Sequence, residues 1–269
     1  MPERTPMASA AEPAAAPAII RTDTAGLDAG EVHIPVGDFR MPAYRAAPQG
    51  GDDLPVVLIV SEIFGVHEHI ADVARRFAKA GYLAVAPQLF VRQGDAGGYT
   101  DIPRLMAEVV GEVPDAQVMA DLDATLAWAV EHGGDPSRCG ITGFCWGGRI
   151  TWLYSAHQSA VAAGVAWYGR LRGPMSARAP RHPVDVAGQM HFPVLGLYGG
   201  QDAGIPAADV EVMQAALRAG DDAARASRFV VYPDAPHAFH ADYRPGYRAD
   251  AAADGWTRCL AWLAAHGVR

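Results

Sequence analysis

The stretch Gly143-Phe144-Cys145-Trp146-Gly147-Gly148 decides how this chain is read. An apolar run ends at Thr142 and a helical segment starts near Trp146, so Cys145 sits on a sharp strand-to-helix turn between glycines. Such a turn forces its central residue into a strained backbone conformation. A Cβ at either flanking glycine would collide with the neighbouring strand or helix. Cys145 is therefore expected to project its sulfur into a cleft at a helix N-terminus, where free N–H groups and the dipole favour a thiolate. The competing reading of Cys145 is a small apolar core residue.

Two later runs extend the pattern. Pro193 to Tyr198 leads into Gly199-Gly200-Gln201-Asp202, and Phe229 to Tyr232 leads into Pro233-Asp234-Ala235-Pro236-His237-Ala238-Phe239. Each reads as a buried strand feeding a loop, with an acid and then a histidine just past the strand end. Nucleophile, acid, base is the chain order of α/β-hydrolases. The triad Cys145, Asp202, His237 is expected on that ground, against the plainer reading in which Asp202 caps a helix and His237 is a loop residue.

From about Ala25 onward the chain resembles the dienelactone hydrolase family of cysteine-nucleophile α/β-hydrolases. The resemblance rests on Ser61 to Val66, Ala86 to Gln93, the Cys145 turn, Gly199 to Asp202 and His237 to Phe239. It implies that Glu62 approaches the nucleophile and helps set its thiol or thiolate state. It further implies that the Ile63 and Trp146 N–H groups form an oxyanion hole and that Arg92 grips a substrate carboxylate, the plainer reading of Arg92 being a pair with an acid such as Asp95 or Asp101 that fixes the loop. A second arginine that dienelactone-processing members carry four positions after the catalytic histidine is Ala241 here.

The chain has 269 residues, half of them hydrophobic, enough for one sizeable α/β core. Residues 20–269 are read as one domain. Residues 1–19, rich in Ala and Pro, are read as a disordered tail, a weakly hydrophobic export signal being the alternative. A formal charge of −8 argues against nucleic acid as a partner. No run approaches the ~20 apolar residues of a membrane span. Three cysteines, an odd number, speak for a reducing compartment and a cytoplasmic protein, with Cys139 and Cys259 in the core. A monomer or homodimer is expected, with no cofactor.

Alternating strand-like and helix-like runs predict a mostly parallel central sheet with helices on both faces. Val32 to Pro35 and Met41 to Arg45 read as an edge hairpin. Val56 to Val60, Tyr82 to Ala86, Cys139 to Thr142, Val161 to Trp167, Pro193 to Tyr198 and Phe229 to Tyr232 read as further strands. Helices are predicted from His69 to Ala80, Asp115 to His132, after Cys145, Ala208 to Ala219 and Asp250 to His266. Gln93 to Asp101 and Gly169 to Met190 read as loops at the substrate site, the latter equally as a solvated crossover. Tyr168, beside a strand end, reads as a pocket wall.

The chemistry that follows is hydrolysis of a small ester or lactone through a thioacyl-enzyme, with His237 taking the thiol proton and later activating water. A thiolate leaves more readily than most alkoxides or amines, so enol esters and enol lactones suit it and amides do not. Glu62 has two other readings, a bond to backbone N–H groups or a pair with Arg149. Beside a thiolate its charge would raise the thiol pKa and act as a brake. His67-Glu68-His69 and His237 to Asp242 hold metal-type ligands without a zinc spacing, so no metal is expected. A thiol-based redox or electrophile-scavenging protein is the alternative function, and a binding protein on a hydrolase scaffold a third.

Overall fold

The computed structural model of the protein describes residues 19–269, so the expected tail, apart from Ile19, lies outside the described residues. β1 (Leu27–Val36) and β2 (Phe39–Pro48) form an antiparallel hairpin across Gly37-Asp38, where Gly37 takes φ 57°. Both strands run several residues beyond the apolar stretches predicted for them. The hairpin's own backbone ladder, continuous from Leu27↔Pro48 to Val36↔Phe39, satisfies the extra residues, of which Ala46 and Ala47 are also buried.

After the hairpin come β3 (Leu54–Val60), α1 (Glu68–Lys79), β4 (Leu83–Pro87), α2 (Ile102–Glu108) and α3 (Asp115–Glu131). β5 (Gly134–Phe144), α4 (Trp146–Ser155), β6 (Ala163–Trp167), α5 (Pro183–Val186), β7 (Val194–Gly199), α6 (Ala207–Ala219), α7 (Asp222–Ala226), β8 (Arg228–Tyr232) and α8 (Ala249–Ala265) complete the chain. The strands make one sheet in the order β1-β2-β4-β3-β5-β6-β7-β8. β2 is antiparallel to its neighbours, and every pairing from β4 through β8 is parallel. Helices cover both faces. β3, β4 and β6 are buried almost throughout, as a doubly covered parallel sheet requires.

The predicted helical stripes are the buried ones: Ile70, Val73, Ala74 and Phe77 on α1, and Val118, Leu122, Leu126 and Ala129 on α3. Cys139 and Cys259 are buried in the core. Three short helices fall in stretches without periodicity. α2 starts where Asp101 accepts from the Arg104 N–H at 3.1 Å. α5 lies inside the 169–190 segment, of which residues 172–178 are exposed while His182, Pro183, Val186 and Ala187 are buried. Arg149 on α4 makes a bidentate pair with Asp115 on α3, at 2.7 and 2.8 Å, and also donates to the Arg181 carbonyl at 2.8 Å. The Asp115 N–H donates to the Arg178 carbonyl at 2.8 Å. Among the described residues no helix is long and apolar enough to cross a membrane.

Candidate active site

Six parallel strands end on one edge of the sheet, and five of them, β3 and β5 to β8, each deliver a polar group there. β5 gives Cys145, which caps α4 with φ 55° and ψ −113°. Glycine is required on both sides. A Cβ at Gly143 would lie 2.1 Å from the Gly147 carbonyl oxygen, and one at Gly147 would lie 2.2 Å from that of Val60. The close approach of α4 to β3 and β5 is therefore what tightens the turn. The Cys145 N–H donates to the Trp167 carbonyl at 2.9 Å, which pins the turn to β6.

The loops after β7 and β8 supply Asp202 and His237. These loops touch backbone to backbone: a Cβ at Gly199 would meet the Ala235 oxygen at 2.3 Å, and the Gln201 N–H donates to that same oxygen at 3.0 Å. This contact sets Asp202 beside His237. Asp202 Oδ2 lies 2.6 Å from His237 Nδ1, and its Oδ1 accepts from the Gly204 N–H at 2.9 Å. His237 Nε2 lies 3.1 Å from Cys145 Sγ. Burial works against a charge on this imidazole. The bonds to Asp202 and Cys145 outweigh it and push His237 up to about 10. Burial instead pushes the Cys139 thiol up to about 11 and that of Cys259 higher still, leaving Cys145 as the partly buried thiol beside His237.

Tyr168 follows β6 with φ 39°, is fully buried and sets its ring edge-on to His237 at 5.2 Å. Its hydroxyl has no hydrogen-bond partner among the described residues. Tyr168, Cys145 and Ala238 are three of the four non-glycine residues with positive φ among those described, so backbone strain concentrates at this edge. The Ile63 and Trp146 N–H groups donate to no carbonyl among the described residues and stand at the loop after β3 and the first turn of α4.

Glu62 is buried just past β3, and neither alternative reading, a pair with Arg149 or bonds to backbone N–H groups, is what holds its carboxylate. Arg149 is taken by Asp115. The Glu62 Oε2 atom accepts from the Tyr243 hydroxyl at 2.5 Å and lies 3.6 Å from His67 Nε2, while Oε1 has no partner among the described residues. Burial alone would push this carboxyl up. The His67 and Tyr243 contacts outweigh it and hold it below the usual carboxylate range. Nothing in the local sequence pointed to Tyr243, which reaches Glu62 across 181 positions. Of the other histidines considered as metal ligands, His69 Nδ1 is bonded to Asp242 at 2.9 Å and His240 is buried against Trp167 and Phe144.

Arg92 is an exposed residue whose side chain is partly covered. Its guanidinium donates to Asp121 on α3 and lies 4.7 Å from the Phe39 ring centroid. Its acidic partner is thus Asp121, where Asp95 or Asp101 had been the expected alternatives. Asp95 and Asp101 instead cap the local turns at Gly97 and Arg104. Ala241 is fully buried, so the position that carries arginine in dienelactone-processing members belongs to the core here. Arg244, three residues on, stands over the Phe64 ring at 5.6 Å, close enough for its charge to act on the phenols of Tyr168 and Tyr243. A separate cavity of about 320 Å³, lined by Met119, Leu153, His157 and Arg181, contains none of the strand-end residues and is not this site.

A sequence model described as the dienelactone hydrolase family matches residues 41–267. A Methylorubrum extorquens protein named "Putative carboxymethylenebutenolidase" is 58% identical over 265 residues, covering 98% of this chain and 90% of its own. A Salmonella typhimurium protein of the same name is 55% identical over 261 residues, covering 97% and 95%. The crystal structure of a "Putative Dienelactone Hydrolase" from Klebsiella pneumoniae superposes with a TM-score of 0.85 at 56% identity, covering 88% of this chain and 98% of the other. The acylaminoacyl peptidase of Pyrococcus horikoshii, at 13% identity and a TM-score of 0.70, covers 91% of this chain and 42% of its own and shares the α/β-hydrolase fold.

Proposed function

The chain belongs to the dienelactone hydrolase family, whose members act on lactone and ester bonds, and from that premise we propose that Cys145, His237 and Asp202 work as a nucleophile–base–acid triad. The observation that carries the reading is the unbroken relay from Cys145 Sγ through both nitrogens of His237 to Asp202, at 3.1 and 2.6 Å. The thiol proton passes to His237 Nε2 and the sulfur attacks the carbonyl carbon. The Ile63 and Trp146 N–H groups hold the oxyanion. The intermediate collapses with cleavage of the C–O bond, His237 returning the proton to the leaving oxygen. Water, deprotonated by His237, then cleaves the thioester and releases acid and free Cys145. Because thiolate itself leaves readily, the favoured substrates are enol esters and enol lactones. The test is mass-spectrometric trapping of an acyl group on Cys145 during turnover of an activated ester. Turnover that survives complete alkylation of Cys145 would refute the triad, and reversible oxidation of Cys145 without turnover would favour a thiol-redox protein instead.

The proton relay carries a pH prediction. A histidine raised from 6.5 to about 10 is expected to carry its proton across the neutral range. Activity should fall on the alkaline side as pH rises through about 10, where the proton for the leaving group is lost. Stability changes with the same sign: the contribution from charged His237 is complete below its unfolded value near 6.5 and disappears as pH approaches 10. A kcat/KM profile that instead rises through pH 6.5 to a plateau would assign a neutral imidazole base.

For substrates bearing a carboxylate, recognition is assigned to Arg92, through N–H groups not used by Asp121, together with Arg244. Arg244→Ala is expected to lower kcat/KM for a carboxylate-bearing lactone by about 2 kcal/mol and to spare its methyl ester. Arg92→Ala should add a stability loss, because Asp121 is buried and would be left unpaired. Equal losses on both substrates in both variants would remove the anion-recognition role.

A further inference from the structure

We infer that Tyr243 is a positioning residue, whose hydroxyl holds the Glu62 carboxylate on the His67 side of the cleft and leaves the Cys145 sulfur to His237. The inference rests on the proposed role of Cys145 but concerns a residue outside the triad.

The geometry has two separate pairs. Cys145 Sγ is engaged by His237 at 3.1 Å. Glu62 Oε2 is engaged by Tyr243 at 2.5 Å, with His67 Nε2 at 3.6 Å from the carboxylate and 3.5 Å from the phenol oxygen. The Tyr243 ring is fixed from the sides, edge-on to His67 at 5.0 Å and tilted on His69 at 5.4 Å. Its backbone is anchored next door: Asp242 accepts from the Ile20 N–H at 2.7 Å, pairs with His69 at 2.9 Å and has Arg76 at 3.6 Å. The titratable groups that act on Glu62 are His67 and His69 from α1 and the segment before it and Tyr243 from the loop after His237, and Tyr168 at the end of β6 and Tyr243 each feel the charges of both Glu62 and Cys145. Arg244 acts on both phenols.

The physical consequence turns on Glu62 Oε1, which is buried and has no partner among the described residues. A carboxylate that turned this capacity toward Sγ–H would hold the sulfur as a neutral thiol, since a negative charge nearby disfavours a second one. The hydroxyl of Tyr243 opposes that in two ways. It lowers the basicity of the carboxylate by donating to it, and it fixes the carboxylate's direction. The thiol proton then goes to His237 Nε2 before any substrate arrives, and no substrate-driven movement of Glu62 is needed to release the nucleophile.

The experiment follows alkylation of the substrate-free, full-length enzyme by iodoacetamide as a function of pH. Wild type, Tyr243→Phe, Glu62→Gln and the double variant are compared, with melting temperatures recorded. Tyr243 is exposed at the rim, so the Phe variant removes a hydroxyl without opening a core cavity. In Tyr243→Phe the midpoint for Cys145 alkylation should move up by about one pH unit, with alkylation at pH values below the wild-type midpoint roughly tenfold slower. In the Glu62→Gln background the same change should have less than about twofold effect, because no charge remains to be positioned. An unshifted midpoint in Tyr243→Phe, or a shift of equal size in the Glu62→Gln background, overturns the inference. Retained turnover by alkylated wild type would instead overturn the triad, so the two failures are distinct.

Discussion

Replacing Cys145 by alanine is expected to abolish ester and lactone hydrolysis, by about a thousandfold or more in kcat, with the melting temperature nearly unchanged. The side chain is small and only partly buried, so its removal empties little volume. What is lost is the single nucleophile beside His237. Cys145→Ser should retain a trace at most. A hydroxyl in a turn shaped for sulfur lacks the low pKa of a thiol, and His237 would have to remove its proton during the attack. Cys139→Ala and Cys259→Ala serve as controls, because both thiols are buried and pushed up in pKa by that burial. They should keep full turnover and lose only on the order of 1 kcal/mol of stability. Steady turnover by Cys145→Ala at the wild-type rate would show that another group forms the acyl intermediate.

Gly147→Ala should damage both fold and activity although it adds one methyl group. The new Cβ would lie 2.2 Å from the Val60 oxygen and 2.7 Å from the Ser61 oxygen. Both are backbone atoms of the central strand and its exit, which cannot rotate aside as a side chain can. Relief requires α4 to move off β3, and that movement displaces Cys145 at the head of the helix as well as Glu62 and Ile63 just past Ser61. We expect overpacking to cost about 1–3 kcal/mol, or more at so close a contact. A displacement of about 1 Å at the reacting atoms would cost on the order of a hundredfold in kcat. Thermal unfolding and steady-state kinetics on the one variant measure both. Wild-type kinetics with an unchanged melting temperature would mean that the turn tolerates a Cβ and that its glycines have another origin.

The order of strands and helices was legible because each depends on its own neighbours in the chain. A β-branched run from Val56 to Val60 has to be buried on both faces, and the stripe Val118, Leu122, Leu126, Ala129 has to face a sheet, whatever the rest of the chain does. Cys145, Asp202 and His237 were legible for the same reason, each following an apolar strand at a turn whose glycines or prolines mark the strand end. The hairpin was predicted too short because edge strands are held by backbone pairing, which side-chain composition does not record. The three short helices α2, α5 and α7 carry too few turns to show a period.

The tertiary structure decided who holds whom among the polar side chains. Glu62 could be read locally as facing Arg149, a backbone N–H or the sulfur, and folding gave it Tyr243 from 181 residues away and His67 from the foot of α1. Arg92 was read as a free fork or a partner of nearby acids, and the fold brought Asp121 on α3 under it. Arg149 was spent on Asp115, which locks α3, α4 and the crossover together. Position along the chain determines which backbone element a residue joins, because hydrogen bonding and burial repeat over short distances. A long side chain chooses its partner among whatever charges several independent loops bring within its reach, and that choice exists only once the loops after β3, β5 and β8 have met at the edge of the sheet.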